Sequence, residues 1–426
     1  MKILIQSCDV LDMTGEPIKK ATIGINKSKI QFVGEVPPDF MPDKIIDGSG
    51  CLAMPGLVNA HTHSAMSLLR NYADDLPFWE WLTKKVWPLD EKMGQTAVYW
   101  GSMLSIAEMI QSGTTTFADM YFLSEETAKA AAESGIRCSI AKGLVGSSKE
   151  DDKRLADTRM LVRDWQGAAE GRISIMAGPH ARYTCDDAFI ERVLDLCVEL
   201  DLPIHIHLSE SRKEVEDSIK KIGKSPIQHM CELGVFKLHT LAAHCVHPTQ
   251  EDLFMLSNHK VHVVHNPTSN MKLGNGIMPL KQMLQAGIQV SLGTDGPASN
   301  NNLNMFEEMH VATLLAKGIS EDPTIAPASQ VLAMGTKNAA KALRLHDQIG
   351  QLKPGMKADI ILVDLKKHHL IPHHDLQASM VYSAQSSDVL TVVIDGTVVM
   401  EKGELTSLDQ ERIHYEVNRI IESIIK

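Results

Sequence analysis

The chain has 426 residues, 44% hydrophobic and 22% charged, so it is long enough to bury a large core and has an ordinary globular composition. Its formal net charge of -11, from 42 basic and 53 acidic residues, repels phosphate backbones and argues against a nucleic-acid partner. The seven cysteines are scattered with no CxxC pair, which fits reduced cytoplasmic thiols rather than a disulfide framework.

The opening "MKILIQSCDVLDMTG" alternates briefly and is broken early by polar residues, without the apolar core and cleavage site of a secretion signal. No apolar run approaches the roughly 18 residues that span a bilayer. A soluble, cytoplasmic protein with no membrane partner is therefore expected. Residues 1–55 read as short strands and turns, and a similar texture returns over 356–426 in "MKADIILVDL" and "DVLTVVIDGTVVMEKGEL". The two β-rich ends either pair into one small domain or form separate flaps. The final "DQERIHYEVNRIIESIIK" has Ile and Val at helical spacing, which predicts an amphipathic helix.

Between these ends, with a barrel domain expected over 56–355, eight apolar runs alternate with helical patterns. They are "CLAMPGLVNAHTH", "GTTTFADM", "RCSIAKGL", "RISIMAGPH", "PIHIHLSE", "TLAAHCVH", "VHVVHNP" and "QVSLGTDG". Helical patterns such as "TAVYWGSMLSIAEMIQSG", "DAFIERVLDLCVELD" and "MPLKQMLQAG" fall between them. Continuous apolar strands alternating with helices indicate buried parallel strands, and eight units predict a (β/α)8 barrel of the α/β class. The alternative is a doubly wound open sheet, but no GxGxxG follows a first strand.

In a barrel, chemistry sits where strands end. The eight runs end on or beside His61 and His63, Asp119, His180, His207 with Glu210, His244, His265 and Asp295, so six of the 19 histidines gather there. Residues i and i+2 of a strand point to one side, so His61 and His63 face a common point. An isolated HxH is more often a pair of interior histidines; with His207 and Asp295 on other strand ends, a metal site is the better reading. Three imidazoles, one carboxylate and a water make an open, catalytic centre suited to zinc. His205, one layer deeper in "HIH", reads as a core histidine and His247 as structural. Asp119 fits an interior hydrogen bond as well as a function. Glu210 can move protons beside such a centre, although a lone Glu at this place also suits a helix cap. His244 is either a further ligand or a group that holds the attacking water.

"PGLVNAHTH", "HLSE", "AHCVH", "HNPTSNMKLGNG" and "GTDGPASNN" together resemble the amidohydrolase superfamily, in its branch that deaminates purines and related rings. The resemblance spans nearly the whole chain. It implies a distorted (β/α)8 barrel and a small β-sandwich built from both terminal segments. It also implies one metal ion per subunit, Zn2+ with Fe2+ or Mn2+ as alternatives, held by His61, His63, His207 and Asp295. The fourth run carries no terminal lysine, so a second, lysine-bridged ion is not expected.

The expected substrate is a small-molecule nucleoside: 5'-methylthioadenosine, S-adenosylhomocysteine or adenosine, hydrolysed to the inosine analogue and ammonia. A free-base or triazine aminohydrolase is the alternative. The resemblance makes Glu210, His244 and Asp295 catalytic, with Glu210 protonating the ring nitrogen and the other two orienting and deprotonating the water. His180 and Glu210 are implied to contact the nucleoside, and "FWEWLTKKVWPLDEKM" to cover its ribose and sulfur side, although this stretch also reads as an ordinary amphipathic segment with core tryptophans. Asp90 stands where relatives carry Glu after "WPL", followed by Glu91, and either can serve the ribose hydroxyls. Lys142 replaces a usual arginine and loses its bidentate geometry, and Arg154 is the other candidate for the amino-acid end. The resemblance is compatible with a homo-oligomer.

Overall fold

The structure, a computed structural model, describes residues 1–146 and 150–424. All eight apolar runs form strands of one parallel sheet: β6 (Leu57–Thr62), β7 (Thr114–Tyr121), β8 (Arg137–Leu144), β9 (Ile173–Pro179), β10 (Ile204–Leu208), β11 (Thr240–His244), β12 (His262–His265) and β13 (Gln289–Leu292). They neighbour one another in chain order, and the pairing is parallel throughout. Val58, Ala60, Ala118, Met120, Ala141, Met176, Leu241 and Val264 fill the interior, while the alternate positions Phe117, Cys138, Ile140 and Ile175 pack outward beneath the helices.

The last seam, between β13 and β6, closes without a regular ladder. Asp295 N–H donates to the His61 carbonyl (2.9 Å), and the Asn59 amide joins Thr294 through its Nδ2 to Oγ1 (2.7 Å) and its Oδ1 to the Thr294 N–H (3.0 Å). Gly293 is needed at this seam: a Cβ there would lie 2.7 Å from the His61 nitrogen. The irregular closure is the distortion that the family resemblance implies, and it brings the first and last strand ends together.

The two β-rich ends do pair. The N-terminal β1 (Lys2–Val10), β2 (Ile18–Asn26), β3 (Lys29–Gly34), β4 (Lys44–Asp47) and β5 (Cys51–Pro55) form one nine-stranded mixed sheet with β14 (Ile360–Asp364), β15 (Val389–Ile394), β16 (Thr397–Glu401) and β17 (Glu404–Leu405). The link is β5, antiparallel to β14 along its whole length. Strand β1 changes partner within its own length, from β4 over Ile3–Gln6 to β5 over Asp9–Val10. The switch falls at a bulge where Ser7 takes φ 62°. Ile3, Ile5, Ile23, Ile25, Ile360 and Leu362 from both ends enclose a separate small core.

One reading needs refinement. "CLAMPGLVNAHTH" is two strands, β5 in the small sheet and β6 in the barrel, divided at Gly56. A Cβ on Gly56 would meet the Thr115 side chain at 2.1 Å, so only glycine lets the chain pass from one sheet to the other. The helical patterns fold as helices over Gln95–Gln111, Asp187–Leu200 and Leu280–Gln285. The terminal amphipathic helix runs Gln410–Ile424, and the last two residues of its pattern lie outside the described residues. No helix among the described residues is long and apolar enough to cross a membrane, and all seven cysteines are free.

Candidate active site

At the C-terminal ends of the strands, four imidazoles and one carboxylate converge. His61 Nε2 and His63 Nε2 lie 3.3 and 3.2 Å from Asp295 Oδ1, and His207 Nε2 lies 3.3 Å from His63 Nε2. Ligand atoms of His61, His63 and Asp295, and of His61, His207 and His244, cluster within 4.8 Å of one another. Each ring is anchored from behind through Nδ1. His63 faces the Met120 carbonyl (2.7 Å), His207 the His180 carbonyl (2.7 Å), His244 the Asn270 Oδ1 (2.8 Å) and His61 the His205 Nε2 (2.8 Å).

A carbonyl only accepts, so the Nδ1 of His63 and of His207 must carry the proton, leaving a bare lone pair on Nε2. Lone pairs of nitrogen and carboxylate oxygen at about 3.3 Å repel unless a cation stands between them. His61 Nε2 is buried and finds no hydrogen-bond partner among the described residues. The donor set therefore fits a divalent cation with nitrogen and oxygen ligands. Burial pulls His63 down, but the hydrogen-bonded Asp295 overrides this and lifts it to about 9. Burial holds His61 down at about 4 and His180 at about 3.

Asp295 is held from its other side. Its Oδ2 accepts from Ser269 Oγ (2.6 Å) and Ser299 Oγ (2.8 Å), and its Oδ1 from the Gly296 N–H (2.8 Å). Although burial raises it, the two imidazoles keep this carboxyl well below the usual range. Glu210 behaves oppositely. Burial, and then the Asp295 charge, push it well above the usual carboxylate range. It receives an N–H from Asn275 (3.0 Å) and stands 3.9 Å from His244 Nε2. Two of these positions, His244 (φ 73°) and Asp295 (φ 63°), and Ser209 (φ 49°) just before Glu210, are non-glycine residues on strained, left-handed backbone.

The cleft above this cluster is lined by Met66, Phe78, Trp81, Asp90, Tyr183 and His180 among others. "FWEWLTKKVWPLDEKM" folds as a helical arch, Phe78–Asp90, with Trp81 and Trp87 on the cleft and Trp79 against Tyr183. Asp90 turns into the cleft, where its Oδ1 accepts the Tyr121 hydroxyl (2.5 Å), and burial raises it to about 6. An outer recess of about 410 Å3 shares Trp87, Asp90, Phe122 and His180 with the cleft and adds Glu91 and Arg154. Arg154 also bridges to Glu150 and Asp151 (3.3 Å each).

The sequence-expected residues thus gather here, with one exception. Lys142 lies on the outward side of β8 with Cys138 and Ile140, bound to Glu125 (3.2 Å), and lines neither the cleft nor the recess. An inward side chain would have to come from Ala141 or Gly143, because strand side chains alternate. His205 is more than a core residue: it backs His61, and its Nδ1 has no partner among the described residues. Asp119 is an interior anchor, accepting from the Ser64 N–H (2.6 Å) and the Thr62 hydroxyl (2.9 Å). His247 holds the Asn275 carbonyl. Ser269, Asn270, Asn275 and Ser299 had no role from sequence, although three of them lie in "HNPTSNMKLGNG" and the fourth in "GTDGPASNN". Their small polar side chains in those stretches were the available signal.

The family model described as the amidohydrolase family matches residues 52–399. The 5-methylthioadenosine/S-adenosylhomocysteine deaminase of Caldanaerobacter subterraneus subsp. tengcongensis is 48% identical over 429 residues, 100% of this chain and 99% of that one. The enzyme of the same name from Thermoanaerobacter pseudethanolicus is 48% identical over the full length of both chains. Among solved structures, a zinc-bound adenosine deaminase from Xanthomonas campestris superposes with a TM-score of 0.94 at 32% identity, covering 99% of this chain and 98% of its own. A zinc complex of atrazine chlorohydrolase from Arthrobacter aurescens, at 24% identity and a TM-score of 0.92 over 98% of this chain and 100% of its own, shares the fold. A family match across most of the chain, with relatives near half identity over their full length, establishes that this protein belongs to the amidohydrolase family.

Proposed function

We propose that the protein deaminates the adenine ring of 5'-methylthioadenosine and S-adenosylhomocysteine by hydrolysis, giving the inosine analogue and ammonia. Residues 56–355 form the catalytic unit in this reading, and 1–55 with 356–426 the accessory sheet. The observation that carries it is geometric: Glu210 and Asp295 face one cleft from two strand ends, together with His63, His207 and His244; burial moves the Glu210 carboxyl up while the neighbouring imidazoles hold Asp295 down. Full-length relatives bearing that activity in their names support the substrate.

His61, His63, His207 and Asp295 would hold the ion, zinc by the chemistry of the donor set. When bound, a divalent ion makes water acidic enough to supply hydroxide near neutral pH. Glu210 donates its proton to the ring nitrogen beside the amino-bearing carbon, which makes that carbon electrophilic. His244, its Nδ1 tied to Asn270, and Asp295 orient the attacking water and take its proton. Water oxygen bonds to the ring carbon, the C–N bond breaks, and the amine leaves as ammonia carrying the first water proton, while the second passes from the new hydroxyl to Glu210 and restores its acid form as the ring carbonyl forms. The aromatic and methionine walls exclude bulk water and hold the purine. Asp90 and His180 face the nucleoside, and Glu91 and Arg154 the outer recess, where the thio-substituent extends. Lys142, paired with Glu125 on the outer face, takes no part.

The test is turnover by the zinc-loaded protein of methylthioadenosine, S-adenosylhomocysteine and adenosine, followed by loss of adenine absorbance and release of ammonia. Silence on all three overturns the substrate reading. Turnover of guanine or a triazine alone would move it to the free-base class.

A further inference from the structure

Glu214 is a buried carboxyl that the mechanism leaves unused, four residues beyond Glu210 in the first turn of helix Arg212–Ile222. Its own N–H is capped by the Ser211 hydroxyl (3.2 Å), the ordinary start of a capping box. In that motif the third residue's carboxylate reaches back to the N–H of the cap residue. Here it reaches further. Oε1 accepts the Ser209 N–H (3.2 Å) and Oε2 the Glu210 N–H (2.7 Å).

Those two peptides form the turn that aims Glu210. Ser209 is in the left-handed region, at φ 49°, which a side chain disfavours. Its carbonyl accepts from the Val246 N–H (3.0 Å) and the His247 N–H (3.1 Å), from the loop after β11. The Ser209 residue is therefore gripped at both ends, by Glu214 on one side and by that loop on the other. Asn275 then fixes the Glu210 carboxyl itself.

No cation pairs with Glu214 among the described residues, and burying a carboxyl without one is expensive. A hydroxyl or amide side chain would cap the helix at lower cost. A buried acid kept for capping alone breaks that local rule, and such breaks concentrate at functional sites.

We propose that Glu214 is a positioning residue whose carboxylate clamps the Ser209–Glu210 turn and so sets the proton-donating geometry of Glu210. This rests on the proton-donor role given to Glu210 above. The clamp acts on the donor's position, not on substrate or ion, so its removal acts on kcat and spares KM and metal content.

A double-mutant cycle on the zinc-loaded full chain tests it, with Glu214→Gln in the wild-type and Glu210→Gln backgrounds and methylthioadenosine as substrate. Turnover is expressed per bound zinc, and the residual rate of Glu210→Gln is followed over hours at high enzyme concentration. Glu214→Gln is expected to lower kcat about 10- to 100-fold, the scale of a misplaced catalytic group, with KM within about twofold. In the Glu210→Gln background it is expected to change nothing further. Glu214→Asp keeps the charge but is one methylene too short to reach both N–H groups, and is expected to show the same pattern; it serves if the Gln variant fails to fold. Wild-type kcat in either variant overturns the proposal, as does an equal loss in both backgrounds, which would mark Glu214 as structural. If Glu210→Gln by itself keeps full turnover, the reading of Glu210 fails instead.

Discussion

The barrel buries two clusters of charged side chains, one at each end of its strands, and they are built on opposite plans. At the N-terminal end, Arg137 at the start of β8 forks onto Asp359 (3.0 and 3.1 Å) and reaches Asp395 (3.4 Å), which also takes Lys357 (2.7 Å). Two cations meet two anions, and the cluster ties the barrel to the small sheet. At the C-terminal end, the imidazole nitrogens of His61, His63 and His207 and the Asp295 carboxylate converge on one point. The first cluster closes on itself. The second opens toward the cleft, and its outer hydrogen bonds hold the donor atoms on that side.

The largest effect should come from emptying the open cluster. Asp295→Ala removes its only carboxylate among the proposed ligands, and is expected to lose bound zinc and lower kcat/KM on the order of a thousandfold or more. Metal analysis and steady-state kinetics check both. Retention of zinc with activity would show that the cluster is not a metal centre.

Breaking the closed cluster should act on stability alone. Arg137→Met leaves Asp359 buried without its partner and is expected to cost about 3–5 kcal/mol, read as a lowered urea midpoint. Zinc content and kcat of the folded fraction should stay near wild type; a parallel fall in kcat would mean the two ends are coupled.

His205→Ala removes the group behind His61. A lost outer-shell partner is expected to weaken zinc affinity about 10- to 100-fold, measured by competition with a chelator, with little change in stability of the zinc-loaded form. An unchanged affinity would make His205 a packing residue.

The smallest effect concerns Glu308, buried beneath the Asp295 loop, where it accepts from Asn300 (2.7 Å) and the Thr268 N–H (3.4 Å). Burial raises its carboxyl to about 8, above the roughly 4.3 of an unfolded glutamate. The folded state thus binds the extra proton, so this contribution is full below about pH 4 and is lost as pH rises through about 8. Melting temperature should fall between pH 5 and 8 more steeply in wild type than in Glu308→Gln. Parallel curves would show that Glu308 titrates normally.

Much of this was legible beforehand, and for identifiable reasons. Buried parallel strands must be apolar on both faces, so the eight runs stood out. Their chemistry sits at their ends, so His61, His63, His207 and Asp295 could be named without a structure. Lys142 shows where that reasoning stops. It lies on the right strand near the right end, but the pleat sends it outward to Glu125. Strand-end position is visible in sequence; the side of the strand needs the register of its neighbours.

By itself, then, the sequence determined the barrel, the order of its strands and which polar residues sit at the strand ends, because periodicity and residue chemistry are local properties. Only the tertiary structure decided what those groups do to one another. Gly56 divides an apparently single run between two sheets because Thr115 lies against it. His205 stands behind His61, Ser269 and Ser299 behind Asp295, and Glu214 behind the Glu210 turn, across separations that no spacing rule covers. The same holds for protonation. Glu210 and Asp295 are both carboxyls in sequence, and burial set against the neighbouring imidazoles moves one up and the other down.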